Sequence, residues 1–286
     1  MSETVFQNRP LPVWQTVKAS YLVLFRNAGL ALKLGFIPLV FGIIVAIYTF
    51  TETIESGRET EVTITVDLAF LSYSGPVIPL LNALLLVPAI TAWHRLVLLG
   101  RDDPKSNLRY RIARAELAYV GRTLIAVILV LFVSLPITIP LLWFSASLAS
   151  SIGPFVLFLI VPASAVLMAF CQRLALVFPA TAISSKFSFI KSWEASENNT
   201  WRLFLALVIT HFPFWVLNNL HPISNDAYFL LFSVALEPGP IAAAIFQVFG
   251  TFVWIASVFV MTSMWSWSYR YLVEGEDIVL PGERTA

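Results

Sequence analysis

Three histidines are the side chains of this 286-residue chain best suited to acid–base or metal chemistry: His94, His211 and His221. Histidine titrates near neutral pH and is a common metal ligand. Their spacing builds neither kind of site. The chain has no His-Glu-x-x-His metal motif and no glycine-rich phosphate loop closed by Lys and Ser/Thr. One cysteine, Cys171, excludes an intrachain disulfide and a cysteine-based zinc cluster. No catalytic constellation, metal or cofactor is expected.

Two other chemistries remain. His211 sits inside a long apolar run, roughly 15 Å from either end at 1.5 Å per residue. An ionisable group at that depth is costly and marks a functional candidate. Pro213 lies two positions on and deprives the carbonyl of Ile209 of its helical partner. With Asn82 and Gln247, His211 is a candidate intramembrane polar cluster for a polar solute or a proton. The competing expectation is a neutral histidine satisfied by a neighbouring helix. The second chemistry is phosphate recognition by arginine. The candidates are Arg95, Arg173 and Arg270 as an inner ring, with Arg109, Arg111 and Arg114 gripping lipid headgroups or a partner.

The elements that position these residues are membrane helices. The composition is 58% hydrophobic and 12% charged, where a soluble domain carries about 25% charge. Crossing the hydrocarbon takes about 20 apolar residues. Six runs qualify: 30–50, 76–98, 117–144, 152–171, 201–220 and 241–269. The third and sixth exceed one membrane thickness and are expected to tilt, kink or extend into the cytoplasm. Pro38, Pro79, Pro88, Pro136, Pro140, Pro162 and Pro213 interrupt the spans and predict kinks.

Charge then orients the spans. Of 18 Lys and Arg, Arg58 alone falls in the loops on one side, amid Glu52, Glu55, Glu59, Glu61 and Asp67. The rest gather on the other side, six of them between Arg95 and Arg114 against two Asp. Basic loops stay cytoplasmic, so both termini are predicted inside. The first apolar run is long and lacks a clean cleavage signature, so no secretory signal is expected. The net charge of +1 hides this polarity. The basic face points to an anionic leaflet rather than nucleic acid.

A repeat is legible. The second, fourth and sixth spans end in His94-Arg95, Gln172-Arg173 and Tyr269-Arg270. Amphipathic segments precede the odd spans: Trp14, Val17, Tyr21 and Leu24; Leu108, Ile112, Ala115 and Tyr119; Phe189, Ile190 and Trp193. Ser20-Tyr21 and Asn27 align with Ser192-Trp193 and Asn199 at one offset. The expected fold is all-α and integral to the membrane. It has three hairpin units, about 11–99, 105–176 and 186–273, each preceded by a cytoplasmic amphipathic helix, in one polytopic domain. Residues 61–68 alternate like a strand. With Ser56-Gly57 as a turn they would pair with 51–55 in a small outer β-ribbon; an ordered acidic loop is the alternative.

The stretch Arg173-Leu-Ala-Leu-Val-Phe-Pro-Ala-Thr-Ala, followed by Lys191-Ser-Trp-Glu-Ala-Ser-Glu-Asn-Asn-Thr-Trp-Arg-Leu-Phe, resembles a group of bacterial inner-membrane proteins. That group is related to the membrane domain found beside some glycerophosphodiester phosphodiesterases. Trp93-His94-Arg95 through Gly100 looks like the same group. Asn198 stands where that pattern usually has Gly, and Asn is the next best residue for a left-handed helix end. Asn199 or Thr200 is then expected to cap the fifth span. Asn198-Asn199-Thr200 also matches a glycosylation sequon, but on the cytoplasmic side it reads as a helix break. The six spans take up most of the sequence, so phosphodiesterase activity is not carried over.

The function expected is a non-enzymatic inner-membrane scaffold that binds anionic phospholipid headgroups or a membrane or cytoplasmic protein partner. A transporter or flippase-like protein for a small or amphiphilic solute is the alternative. An intramembrane lipid-modifying enzyme is third, because no acid–base pair or nucleophile is identifiable.

Overall fold

The computed structural model describes residues 9–57, 77–103, 108–148, 153–219 and 240–278. Nine α-helices cover most of them: α1 (Val13–Arg26), α2 (Ala28–Gly57), α3 (Val77–Leu99), α4 (Arg114–Leu148), α5 (Gly153–Gln172), α6 (Val177–Ala182), α7 (Phe189–Ala195), α8 (Thr200–Asn219) and α9 (Pro240–Tyr269). A 3-10 turn (Glu197–Asn199) leads into α8, and a π turn (Arg270–Glu274) extends α9. Six of the helices, α2, α3, α4, α5, α8 and α9, are long and apolar enough to cross a membrane. Each coincides with a span expected from hydropathy.

The centre of the bundle is α9, which packs against α1, α2, α3, α6 and α8. Small polar residues let its neighbours approach. Thr262, Ser263, Ser266 and Ser268 are fully buried, and each hydroxyl donates to the carbonyl four residues earlier. Their polarity is thus satisfied within the helix, as hydrocarbon demands. Facing α9, α2 offers Gly35 and Gly42, seven positions and two turns apart. A Cβ on Gly42 would lie 2.8 Å from the Thr251 methyl, and one on Gly35 would lie 3.1 Å from Ile255.

Polar burial is concentrated at the end of the bundle that holds the N-terminal segment, the end of α3 and the π turn. Trp93, His94, Arg95, Glu116, Thr181, Ser192, Ser196 and Asn199 are all buried there. Beyond it, α4 exposes most of its side chains, Ile128, Phe132 and Val133 among them.

Three local expectations are corrected. Residues 51–55 are helical, as the last turns of α2, rather than a strand. Their proposed partner, 61–68, lies outside the described residues. The second amphipathic segment is not helical before Arg114. Leu108 and Tyr110 turn inward against the core, while Arg109, Arg111 and Ile112 are exposed on irregular, bent chain. Helix α4 begins only where Glu116 reaches back to accept the Ala113 N–H at 3.0 Å, so Ala115 and Tyr119 belong to the spanning helix. Finally, Asn198 is not left-handed. Among described non-glycine residues that conformation is found at Ser184, with φ 60°, and the left-handed glycines that end helical segments are Gly100, with φ 82°, and Gly275, with φ 77°.

Short helices, α1 and α7, form where the first and third segments are expected; in α7, Ile190 and Trp193 are exposed and the buried residues are Ser192 and Ala195. In α1, Val17 and Leu24 are buried and Tyr21 is half-buried, but Trp14 is exposed. Helix α7 is a short turn capped by Ser188, whose hydroxyl accepts from Lys191 N.

Candidate functional site

The end of α3 organises the polar core. Trp93, His94 and Arg95 follow one another on the helix and between them reach α9, α4 and α6. Trp93 Nε1 donates to Ser263 Oγ of α9 at 2.8 Å. His94 Nδ1 lies 2.7 Å from Ser266 Oγ, and its Nε2 lies 3.4 Å from the Tyr119 hydroxyl of α4. A hydroxyl has one proton to give. With the Ser266 hydroxyl directed to the Thr262 carbonyl at 2.9 Å, His94 Nδ1 takes the donor role and Ser266 Oγ the acceptor role. Nε2 is then free to accept from Tyr119. The hydrogen-bond network assigns a neutral imidazole protonated on Nδ1.

Arg95 reaches the other way. Its Nη2 pairs with Glu116 Oε1 at 2.8 Å and its Nε donates to the Ala182 carbonyl at 2.8 Å. The two side chains are only 6% and 2% exposed, so this is an ion pair in protein rather than water. Both carboxylate oxygens of Glu116 are occupied: Oε1 also lies 3.2 Å from Thr91 Oγ1, and Oε2 holds the Ala113 N–H. Arg122, two turns further along α4, donates through Nη1 to Thr181 Oγ1 at 2.6 Å. Arginines from α3 and α4 thus grip adjacent residues at the end of α6.

The arginine ring expected from sequence is therefore a set of internal clamps. Arg173 lies over the Trp193 ring, 3.7 Å from its centroid, and donates to the Trp193 carbonyl at 2.7 Å. Arg270 pairs with Glu276 and lies 5.2 Å from the centre of the Trp267 ring. Arg95 holds Glu116 and Ala182 through Nη2 and Nε, and its Nη1 is buried without a hydrogen-bond partner. Of the expected inner ring, Arg95 and Arg173 are buried and Arg270 is half-buried. Arg109, Arg111 and Arg114 are exposed, and remain accessible at the same end of the bundle.

The intramembrane trio is not gathered by any described contact. His211 is on the exposed surface of α8. Asn82 is half-buried on α3, where its amide faces Gly42 of α2, and its Oδ1 is buried without a hydrogen-bond partner. The Gln247 side chain lies outside the described residues. Asn218 of α8 approaches Gly250 instead, with Oδ1 3.9 Å from the Cβ position.

Asn199 has a role its sequence context did not suggest. Its side chain accepts the Leu11 N–H at 2.7 Å and donates to the Arg9 carbonyl at 3.1 Å, instead of capping α8. The held segment is fixed from its other side by Arg9, which lies over Tyr271 and bonds its carbonyl and Asp277. Beyond it, Tyr21 donates to the Thr210 carbonyl of α8 at 2.7 Å and stacks on Phe214. Burial pushes the Tyr21 hydroxyl up to about 12, which keeps it a donor across the physiological range.

Sequence reasoning passed over Glu116, Thr91, Thr181, Ser263 and Ser266. The available signals were a lone acid just after a basic loop and a run of hydroxyls in the last apolar stretch. Fold and polar core together define a multi-pass helical membrane protein whose buried polar groups tie its helices at one end. Comparison with protein-family models, with curated proteins and with solved structures gives no match.

Proposed function

We propose that this chain is a non-enzymatic scaffold of a bacterial inner membrane that engages anionic phospholipid headgroups through Arg109, Arg111 and Arg114. The observation that carries the reading is the division of labour among arginines at one end of the bundle. Arg95, Arg173 and Arg270 hold the protein together, while those three stay exposed beside helices of spanning length. Basic residues near an anionic leaflet contribute about 1 kcal/mol each. In this reading the basic end faces the cytoplasm with both termini, and the fold derives from three hairpin units. Ser20 and Ser192 are both fully buried, and Asn27 and Asn199 both stand where a short helix gives way to a spanning one, which supports kinship of the first and third units. The likeness to the membrane domain beside glycerophosphodiester phosphodiesterases fits the same view. The test is flotation with vesicles of phosphatidylglycerol after tryptic release of soluble fragments is controlled for, or, more directly, native mass spectrometry of retained lipid. The triple Arg109→Gln, Arg111→Gln, Arg114→Gln variant is expected to retain less phosphatidylglycerol than wild type. Equal retention overturns the reading.

The transporter alternative is favoured by one observation, the unpartnered Asn82 amide oxygen between α2 and α3. A polar path there would let a small water-borne thiol reagent label an Asn82→Cys, Cys171→Ala variant. Failure to label under conditions that modify a loop cysteine removes this reading.

A further inference from the structure

We infer that Arg122 anchors the phosphate of a bound anionic phospholipid at the seam between α4 and α6. The inference rests on the lipid-binding reading above and deepens it, naming a contact that the exposed loop arginines do not make.

The placement follows from length. Helix α4 has 35 residues, roughly 52 Å at 1.5 Å per residue, against a hydrocarbon core of about 30 Å. Arg122 stands eight positions from its start, roughly 12 Å along it. Sharing the excess between the two ends of α4 places Arg122 near the edge of the hydrocarbon, within an arginine's reach of lipid phosphates.

Its charge is uncommitted. The described ion pairs are Arg9–Asp277, Arg95–Glu116 and Arg270–Glu276, and Arg122 belongs to none of them. Glu116, one helical face away, has both oxygens occupied. The Thr181 contact fixes one end of the guanidinium, Nη1, and the residue as a whole is half-buried rather than enclosed. An arginine held this way offers paired donors to a phosphate.

The surroundings select a lipid rather than a free anion. Gly121 is exposed, and nothing lies within 4 Å of where its Cβ would be, which leaves room for a headgroup. Ile125 and Leu129, three and seven positions beyond Arg122, are exposed along α4 and provide a track for an acyl chain. Inorganic phosphate would gain nothing from that track.

The experiment is native mass spectrometry of the full-length protein in detergent. It is titrated with phosphatidylglycerol, or with phosphatidylcholine of the same acyl chains. Arg122→Gln is expected to weaken the first phosphatidylglycerol bound by about tenfold, as loss of one charge-assisted contact does, and to leave phosphatidylcholine unchanged. Arg122→Lys keeps the charge and is expected to fall between. Circular dichroism checks that each variant is folded, and Arg122→Lys keeps the test open if Arg122→Gln is not. Equal phosphatidylglycerol affinity in wild type and Arg122→Gln overturns the proposal. If the triple loop variant nevertheless loses lipid, the broader reading stands; if neither variant loses lipid, both fall. Displacement of phosphatidylglycerol by excess inorganic phosphate would also overturn it, by showing a free-anion site.

Discussion

Arg95 and Glu116 meet at 2.8 Å with both side chains almost wholly withdrawn from solvent, joining the end of one spanning helix to the start of the next. Removing one partner of such a pair leaves an uncompensated buried charge, at about 3–5 kcal/mol, whereas replacing both with apolar groups is often neutral. Glu116→Gln is therefore expected to lower thermal stability far more than an Arg95→Met, Glu116→Leu double variant does. Melting in detergent, followed by tryptophan fluorescence, measures both. A Glu116→Gln protein that melts with wild type would show that the pair is not holding α3 to α4.

The second prediction concerns a proton. Ser266 spends its hydrogen on Thr262, so His94 carries its own on Nδ1 and accepts from Tyr119 on Nε2. Nitrogen NMR of histidine-labelled protein is expected to show one neutral ring in the Nδ1–H form, and that signal vanishes in His94→Gln. Tyr119→Phe leaves Nε2 without its donor and is expected to cost about 1 kcal/mol. A ring found in the Nε2–H form would reverse the assignment.

The spans were legible because hydropathy is a one-dimensional signal. Bilayer thickness sets the length of each apolar run, so α2, α3, α4, α5, α8 and α9 fall where composition puts them. The partners of the charged residues were not legible, because they are separated by topology. Arg95 is 87 residues from the Ala182 carbonyl it holds, and Asn199 is 188 residues from Leu11 N. Position at a helix end made Arg95, Arg173 and Arg270 look like snorkelling anchors. A guanidinium that finds a carboxylate, a ring or a carbonyl inside the protein needs no phosphate. The segment 108–113 misled for another reason: Leu108 to Ile112 alternate apolar and basic, which a helix stripe also accommodates, and the Glu116 contact to Ala113 decides where the helix starts.

Close helix approach yields a third prediction. Gly42 faces Thr251 with no space for a side chain, since a Cβ there would come within 2.8 Å of the threonine methyl. Threonine is stiff about its first side-chain torsion and cannot swing away cheaply. Gly42→Val should push α2 from α9 and cost about 1–3 kcal/mol, read as a lower melting temperature. Gly121→Val, where nothing lies within 4 Å of the Cβ position, serves as the comparison and should lose much less. Equal losses at the two positions would mean that the α2–α9 contact is looser than its geometry implies.

The last prediction bears on α1, the short helix that precedes the first span. Its inner face is buried against α8 and α9, and the Tyr21 hydroxyl on that face donates across to Thr210 O of α8. That carbonyl lies one residue beyond Ile209, whose own partner Pro213 removes, so Tyr21 docks at the place where the α8 ladder is interrupted. Tyr21→Phe keeps the stacking on Phe214 and loses only the hydrogen bond, which predicts about 1 kcal/mol of destabilisation. Tyr21→Ala loses both and should free α1 locally before the bundle melts, because its remaining buried residues are small or medium-sized. Hydrogen exchange over residues 13–26 separates the two outcomes. Local loss of protection in Tyr21→Ala, with α9 still protected, marks α1 as a docked element held by this contact; unchanged protection would mean that Val17, Val23 and Leu24 hold it without Tyr21.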